Sequence, residues 1–335
     1  MTRIAINGFG RIGRNVFKAG IEKAGFNVVA INDLTDTETL AHLLKHDTSY
    51  GEYSKKVSHT KDSLIVGKNK IPVYSEKDPS KLPWKKLKVD IVLECTGFFR
   101  TLEGASLHVQ AGAKRVVISA PAKGGSVPTH VIGVNNSKIS KKVEVLNNAS
   151  CTTNCIAPVM AILQQAFGVK KAAMTTVHAY TADQNLQDGP HRDLRRSRAA
   201  AQNIVPTTTG AAIATTEVVN GLAGKFDGLA IRVPVAVGSI SDITAVLKKS
   251  VTVEQVNQAF IKASKSPLWK GVLMVTNEPL VSSDIVGNPH SSIVDLSLTK
   301  VIDKDLVKVF SWYDNEWGYS NRLAEIALQV SKQLK

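Results

Sequence analysis

The chain has 335 residues, 43% hydrophobic and 21% charged, with a formal net charge of +14. That is ordinary globular material with enough apolar surface for about two domains. No run approaches the roughly 18 apolar residues of a membrane span, and three cysteines are too few and too odd a number for a disulfide framework.

The first segment, MTRIAINGFG, lacks the charged-then-apolar pattern of a secretory leader and goes straight into strand-like sequence, so a soluble, cytoplasmic chain in a reducing compartment is expected. IAING (4–8) reads as a buried strand, and RIGRNVFKAGIEKAG (11–25) follows with helical spacing of Ile12, Val16, Ala19 and Ile21. Between them Gly8, Gly10 and Gly13 form G-x-G-x-x-G. Alone the pattern is weak. Here it closes a strand and opens a helix, and the acidic Asp33 ends the next strand, NVVAINDL, about 20 residues on. The glycines allow a tight turn and close approach of a pyrophosphate to a helix N-terminus. Asp33 would accept from ribose hydroxyls and repel a 2′-phosphate, which favours NAD over NADP. A glycine turn without ligand, a different dinucleotide and an adenosyl cofactor are the alternatives.

TETLAHLLKHD (37–47) reads as a helix, and DIVLECTG (90–97) and RVVISAP (115–121) as continuous apolar strands buried on both faces. This alternation predicts a Rossmann-type parallel sheet with right-handed crossovers. Near Ser150 the pattern changes. MTTVHAYT, GLAIRVPV, ISDITAVLK and VKVFSWYD alternate more and suggest an α+β domain with a mixed or antiparallel sheet, backed by helices such as TVEQVNQAFIKAS. The final SNRLAEIALQVSKQLK is an amphipathic helix carrying Leu323, Ile326, Ala327 and Val330 on one face.

At the change of pattern stands NASCTTNC. Cys151 follows a strand and precedes an apolar helical run, where unpaired helix N–H groups stabilise a thiolate. Pro158 lies inside that run, so the helix either begins near Cys151 and bends or begins nearer Pro158. A thiolate nucleophile needs a base, and of eight histidines His178, at the end of a strand among threonines, is the best candidate. Cys155 lies one helical turn away, and with no CxxC or HxxxH nearby the spacing argues against a metal. Thr207-Thr208-Thr209-Gly210 precedes another apolar helical stretch and offers hydroxyls and an N–H to an anion. Arg195, Arg196 and Arg198 crowd the preceding loop. Arg232 sits inside an apolar strand, where it needs a carboxylate, a phosphate or open water.

The positive charge points to an anionic partner: a phosphorylated metabolite, a dinucleotide or nucleic acid. Clusters such as Lys85-Lys86 and Lys248-Lys249 lack interleaved aromatics and read as solvated surface.

INGFGRIGRN, ASCTTNC, TTVHAYT, RRSRAAAQNIVPTTTGAA and SWYDNEWGYSNR occur in this order along essentially the whole chain, which thereby resembles the phosphorylating glyceraldehyde-3-phosphate dehydrogenases. The resemblance implies a glycolytic or gluconeogenic enzyme: Cys151 attacks the aldehyde of glyceraldehyde 3-phosphate, and His178 serves as base while a hydride passes to NAD. Inorganic phosphate then cleaves the thioester to 1,3-bisphosphoglycerate. It implies that Thr181 and Arg232 hold the substrate phosphate, and that Ser150, Thr152, Thr209 and Gly210 hold the attacking phosphate with Arg196 close by. Arg11, Ile12, Asp33, Lys77, Ser119 and Asn315 match cofactor contacts. The implied domains are 1–149, completed by a C-terminal helix at 316–335, and a catalytic domain at 150–315. A homotetramer is implied too, with the loop around 179–203 at a neighbour's cofactor site.

Two departures stand out. Gly189-Pro190 replaces the bulky apolar residue and proline of many NAD-specific relatives, which leaves room for some NADP use against the effect of Asp33. RVPVAVGS replaces the more familiar threonine- and proline-containing continuation after Arg232. Erythrose-4-phosphate dehydrogenase would share thiol, histidine and cofactor site but hydrolyse the thioester; aspartate-semialdehyde dehydrogenase lacks the ASCTTNC setting. A nucleic-acid-binding protein with an idle active site is a further alternative, against which the intact thiol, base and dinucleotide set argues, so nucleic acid is expected at most as a secondary partner. His178→Asn is expected to slow acylation and remove a rate dependence on a group titrating near neutral pH.

Overall fold

The computed structural model describes residues 1–334. The chain divides into two compact units, one comprising Met1–His130, Asn136–Ala149 and the segment from Ser320 onward, the other Val131–Asn135 and Ser150–Tyr319.

The first unit opens with β1 (Thr2–Asn7), α1 (Arg11–Ile21), β2 (Phe26–Asn32) and α2 (Thr37–Lys45). A two-residue pair, β3 (His46–Asp47) and β4 (Gly51–Glu52), leads to β5 (Val57–Thr60), β6 (Ser63–Val66) and β7 (Asn69–Tyr74). Then come β8 (Ile91–Glu94), α3 (Leu102–Gln110), β9 (Arg115–Ile118) and β10 (Val145–Asn147). The strands form one sheet in the order β10-β9-β8-β1-β2-β7-β6-β5. From β10 to β7 every pairing is parallel, whereas β5, β6 and β7 run antiparallel to one another. The expected parallel sheet therefore carries an antiparallel extension. Its short, polar strands such as VSHT gave no continuous apolar signal. IVLE of β8 and RVVI of β9 are buried at every position, as strands covered on both faces must be.

The second unit holds α4 (Cys151–Phe167), β11 (Val169–Ala179), β12 (Val205–Thr207), α5 (Ala211–Val218), β13 (Phe226–Val233), β14 (Ser239–Leu247) and α6 (Val253–Ser264). It continues with β15 (Leu273–Thr276), β16 (Ser292–Ile302) and β17 (Leu306–Tyr313). Its sheet runs β12-β13-β11-β14-β17-β16-β15. It is mixed: β11 pairs in parallel with β13 and antiparallel with β14. β14 and β17 alternate strictly between buried and half-buried residues, so one face meets the core and the other is wetter. The last helix, α7 (Trp317–Lys332), buries Leu323, Ile326, Ala327 and Val330. Past Ser320 it is tied within the first unit: Thr2 Oγ1 donates to Ser331 Oγ at 2.8 Å, and Arg115 donates to Gln333 Oε1 at 3.0 Å.

Candidate active site

In the first unit the carboxyl ends of the parallel strands open into a cleft of about 600 Å³, with Gly8, Gly10, Asp33 and Lys77 in its wall. This is where an open α/β sheet binds its ligand. Gly8 takes a positive φ of 88°, and a Cβ there would lie 2.7 Å from the Thr96 amide nitrogen. A Cβ on Gly13 would meet the Gly8 carbonyl oxygen at 2.1 Å. Those two glycines are demanded by packing. Gly10 differs: its φ is −72°, and a Cβ would meet nothing within 4 Å. Packing does not require glycine there. Gly10 caps α1, and no side chain bonds the helix N-terminus and no acid lies in its first turn, so the positive end is open to an anion.

Asp33 accepts from the Phe9 N–H at 2.6 Å and the Thr35 N–H at 3.0 Å, one per oxygen, which fixes the carboxylate and leaves lone pairs for a ribose. Lys77 is exposed at the rim. Arg11, at the first position of α1, pairs with Asp47 at 2.6 Å and lies over the Tyr50 ring at 5.7 Å, so its guanidinium is engaged. Ile12 follows on the same turn. The Ser119 N–H donates to Glu94 O at 2.9 Å at the end of β9. Asn315, in the second unit, is buried and accepts from Gly238 N at 3.1 Å and Ser239 Oγ at 3.0 Å. The cleft also contains Cys95, Thr96, Phe98 and Phe99, which the sequence reading did not name. The turn residues closing DIVLECTG were the available signal. Glycines for close approach, an open helix end and an acid for the ribose are the donor set a dinucleotide requires.

The second unit holds the thiol. Ala149 takes φ 54°, an uncommon left-handed conformation for alanine, with its N–H bonded to Asn147 Oδ1 at 2.9 Å. The next residue, Ser150, caps α4 by accepting from Thr153 N at 3.0 Å. The helix therefore begins at Cys151 and continues through Pro158 to Phe167. Of the two readings of its start, the earlier is the one observed. β11 delivers His178 to the same place: Cys151 Sγ lies 3.4 Å from His178 Nε2. His178 Nδ1 is 2.6 Å from the Ala179 carbonyl oxygen, which can only accept, so the neutral ring carries its proton on Nδ1 and turns a bare Nε2 toward the sulfur. Tyr313 packs edge-on against the imidazole, centroids 5.9 Å apart.

Burial pushes the Cys151 thiol up, against the opposing pull of Arg232 and Thr152. Burial, with help from Arg232, pushes His178 down to about 3. Neither group gains a charge alone. The contact couples them: a proton passing from Sγ to Nε2 creates both charges side by side, with a helix N-terminus and Arg232 facing the sulfur. The first N–H groups of α4, at Cys151 and Thr152, pull the thiol down as the sequence suggested, but burial outweighs them. Cys155 is fully buried, its Sγ 3.6 Å from Ser311 O and its thiol pushed up to about 12, so it is a packed residue.

Arg232 donates from Nη1 to Ala179 O at 3.2 Å and Thr181 Oγ1 at 3.0 Å, while its buried Nε has no partner. No carboxylate lies within ion-pair distance among the described residues. An internal salt bridge, one of its alternatives from sequence, is absent. A largely desolvated guanidinium with Thr181 beside it has the chemistry to bind an anion. Arg196 is the opposite case. It bonds Asp183, lies 3.5 Å from Asp193 Oδ2, and donates to Thr207 Oγ1 at 2.9 Å and Thr208 O at 3.0 Å. Thr209 Oγ1 accepts from Ala211 N at 3.2 Å. Gly210 caps α5 without a side-chain bond, and a Cβ on it would meet nothing within 4 Å. Thr152 is buried and its hydroxyl is spent on Tyr313 Oη at 2.9 Å, which also bonds Thr176 at 2.8 Å. Tyr313, in the SWYDNEWGYS motif, was missed because those partners lie far away in sequence.

Two family descriptions match the chain: glyceraldehyde 3-phosphate dehydrogenase, NAD binding domain, over residues 2–102, and glyceraldehyde 3-phosphate dehydrogenase, C-terminal domain, over residues 150–315. A glyceraldehyde-3-phosphate dehydrogenase of Streptomyces coelicolor is 52% identical over 334 residues, 99% of each chain. One of Mycolicibacterium smegmatis is 52% identical over 340 residues, again 99% of each. One of Borreliella burgdorferi is 51% identical over 336 residues, 98% of this chain and 100% of the relative.

Proposed function

The chain belongs to the glyceraldehyde-3-phosphate dehydrogenase family, and from that premise we propose which of its atoms carry the reaction. It is an NAD-dependent oxidoreductase of glycolysis that acts on glyceraldehyde 3-phosphate. The observation that carries the assignment of roles is the 3.4 Å contact between Cys151 Sγ and the bare His178 Nε2, beside a guanidinium without a carboxylate.

Arg232 and Thr181 take the substrate phosphate and hold the aldehyde carbon over the sulfur. Cys151 passes its proton to His178 and attacks that carbon, forming a C–S bond as the C=O π bond opens, and His178 returns the proton to the resulting oxyanion to give a thiohemiacetal with a free Nε2. Bound NAD supplies the acceptor for the hydride that then leaves this carbon. His178 Nε2 takes the hydroxyl proton as the carbonyl re-forms, leaving a thioester on Cys151. Inorganic phosphate, held by Thr209, Gly210 and the helix N-terminus behind Ser150 and Thr152, attacks the thioester. The C–S bond breaks, the acyl phosphate departs and Cys151 recovers its proton. Arg11, Ile12 and Gly10 would hold the pyrophosphate through the start of α1, Asp33 the ribose, and Lys77, Ser119 and Asn315 further parts of the cofactor.

The catalytic domain spans 150–315 in this reading, with the cofactor domain at 1–149 completed by the last helix. A homotetramer is proposed as well: Leu186, Leu194 and Ile204 are 81%, 80% and 71% exposed in one loop region, apolar surface that a second copy would cover. No helix among the described residues is long and apolar enough to cross a membrane, and the reaction's soluble substrates fit a cytoplasmic site. The deciding experiment is a spectrophotometric assay of glyceraldehyde 3-phosphate and erythrose 4-phosphate, each with and without phosphate and with NAD or NADP. Phosphate-dependent NADH formation with the three-carbon aldehyde is expected. Turnover independent of phosphate would overturn the acyl-transfer step, and parity of NADP with NAD would overturn the role of Asp33.

A further inference from the structure

From the wall of the dinucleotide cleft, where Asn7, Asn32 and Glu76 line it, a run of buried polar side chains that the chemistry above does not use leads inward to Glu94, His108 and Trp84. Trp84 and His108 are 0% exposed, Glu94 and Asn7 1%, and Asn32 5%. At the far end Trp84 Nε1 donates to His108 Nδ1 at 3.0 Å. An indole N–H can only donate, so Nδ1 keeps its lone pair and the ring proton sits on Nε2. That N–H faces Glu94 Oε2 at 3.1 Å. The Asn7 amide nitrogen donates to the same oxygen at 2.6 Å and lies 3.3 Å from the ring nitrogen. Asn7 Oδ1 accepts from Asn32 Nδ2 at 2.7 Å. Asn32 ends the run on the Glu76 backbone, accepting from its N–H at 2.9 Å and donating to its carbonyl at 2.9 Å. The other Glu94 oxygen accepts from the Thr96 N–H at 2.8 Å and from the Thr96 hydroxyl.

Each link has a single sense. Four donors converge on Glu94, an acceptor-only carboxylate when ionised, and this orients the Asn7 amide. Asn7 in turn orients Asn32. The members also stand in one relation to the cleft. Asn7 precedes Gly8, Asn32 precedes Asp33, Glu76 precedes Lys77, and Glu94 precedes Cys95 and Thr96; all of these following residues line the cleft. Phe99, also in the wall, rests edge-on against the His108 ring with centroids 6.3 Å apart.

We propose that Glu94 and His108 are positioning residues for the cofactor: by fixing the two amides they set the spacing of the strand ends that hold the dinucleotide. This rests on the assignment of the cleft to NAD, and neither residue lines the cleft itself. Replacing the carboxylate with an amide of the same shape turns an NH₂ group against donors on one side or the other, so the run must rearrange. Replacing His108 with glutamine keeps an acceptor for Trp84 and a donor for Glu94, whereas leucine keeps neither.

The test measures NAD affinity by fluorescence titration, the KM of each substrate, kcat and the melting temperature for Glu94→Gln, His108→Gln and His108→Leu in the full chain. Glu94→Gln and His108→Leu should raise the Kd for NAD about tenfold or more, with kcat at saturating NAD and the KM for glyceraldehyde 3-phosphate held within about twofold. His108→Gln should recover most of the affinity that His108→Leu loses. Unchanged NAD affinity in a variant with a lowered melting temperature would reduce the run to ordinary core packing and overturn the proposal, as would equal losses for the two His108 variants. If Glu94→Gln does not fold, the His108 pair decides alone. Wild-type protein that fails to bind NAD would overturn the cofactor reading first, and this inference with it.

Discussion

Replacing His178 with asparagine removes the partner that lets Cys151 take a charge. Burial holds the lone thiol up and the lone imidazole down to about 3, so on the proposed roles the thiol proton would move to the imidazole across their 3.4 Å contact rather than to solvent, and the two would titrate as a pair. Asparagine nearly matches the shape of the ring's near half but takes no proton. In the variant only Arg232 and the start of α4 oppose the cost of burying a thiolate. An ordinary thiol ionises near pH 8.5, so at pH 7 a thiol at or above that value is about 3% thiolate or less. Alkylation of Cys151 by iodoacetamide at pH 7 should slow by roughly tenfold or more, and should then climb about tenfold per pH unit past pH 8. The wild type should show a flatter profile through neutrality. Mass spectrometry of the modified peptide reads both proteins without needing turnover, which should itself fall by about 10²–10⁴. Superimposable alkylation profiles would refute the coupling. An inflection near neutral pH, expected from sequence for the histidine, belongs on this account to the pair.

Arg232→Gln should raise the KM for glyceraldehyde 3-phosphate by about 10–100-fold, the equivalent of about 1.5–3 kcal/mol of charge-assisted hydrogen bonding, while oxidation of unphosphorylated glyceraldehyde changes little; steady-state kinetics on both substrates checks it. Asp33→Ala should narrow the preference for NAD over NADP, read as the ratio of kcat/KM values. Tyr313→Phe strips a partner from the Thr152 and Thr176 hydroxyls and should cost about 1–3 kcal/mol in denaturant unfolding. Gly10→Ala should fold normally and weaken NAD binding, whereas Gly13→Ala, whose Cβ would meet backbone at 2.1 Å, should lower the melting temperature as well.

What was legible in the sequence is what is local along the chain. The G-x-G-x-x-G turn, Asp33 and the strand-then-cysteine order of NASCTTNC each lie within one supersecondary unit, and the structure has them on the expected elements. The antiparallel strands at 57–74 were not visible, because VSHT and SLIV are too short to outweigh their polar neighbours. Glu94 was hidden for another reason: at the end of an apolar strand it reads as a turn residue, and its donors Asn7 and His108 lie 87 and 14 residues away. Arg232 is the instructive middle case. Its cost of burial was plain from GLAIRVPV, but whether a carboxylate answered it depended on chain that packs there only after folding. His178 was picked from its strand-end setting among threonines as the best base for Cys151, and likeness to a family strengthened that choice, because 27 residues of separation alone predict no contact.

The two arginines of the second unit also differ in what they ask of an anion. Arg196 is already neutralised by Asp183 and Asp193, so a phosphate arriving there must compete with carboxylates or rely on Gly210 and the start of α5. Arg232 has no carboxylate within ion-pair distance among the described residues, and its buried Nε has no partner. A site of the second kind binds more tightly, because the bare charge has already been desolvated by folding. On the proposed roles, the reaction would use that asymmetry. The substrate's own phosphate must anchor the aldehyde through capture, hydride loss and acyl transfer, whereas the attacking phosphate must enter late and leave bonded to the product. A strongly charged pocket for the attacking phosphate would hold the acyl phosphate in place after the C–S bond had broken. On the proposed roles, the carboxylates already paired with Arg196 would keep that second pocket weak enough to release what the first has held.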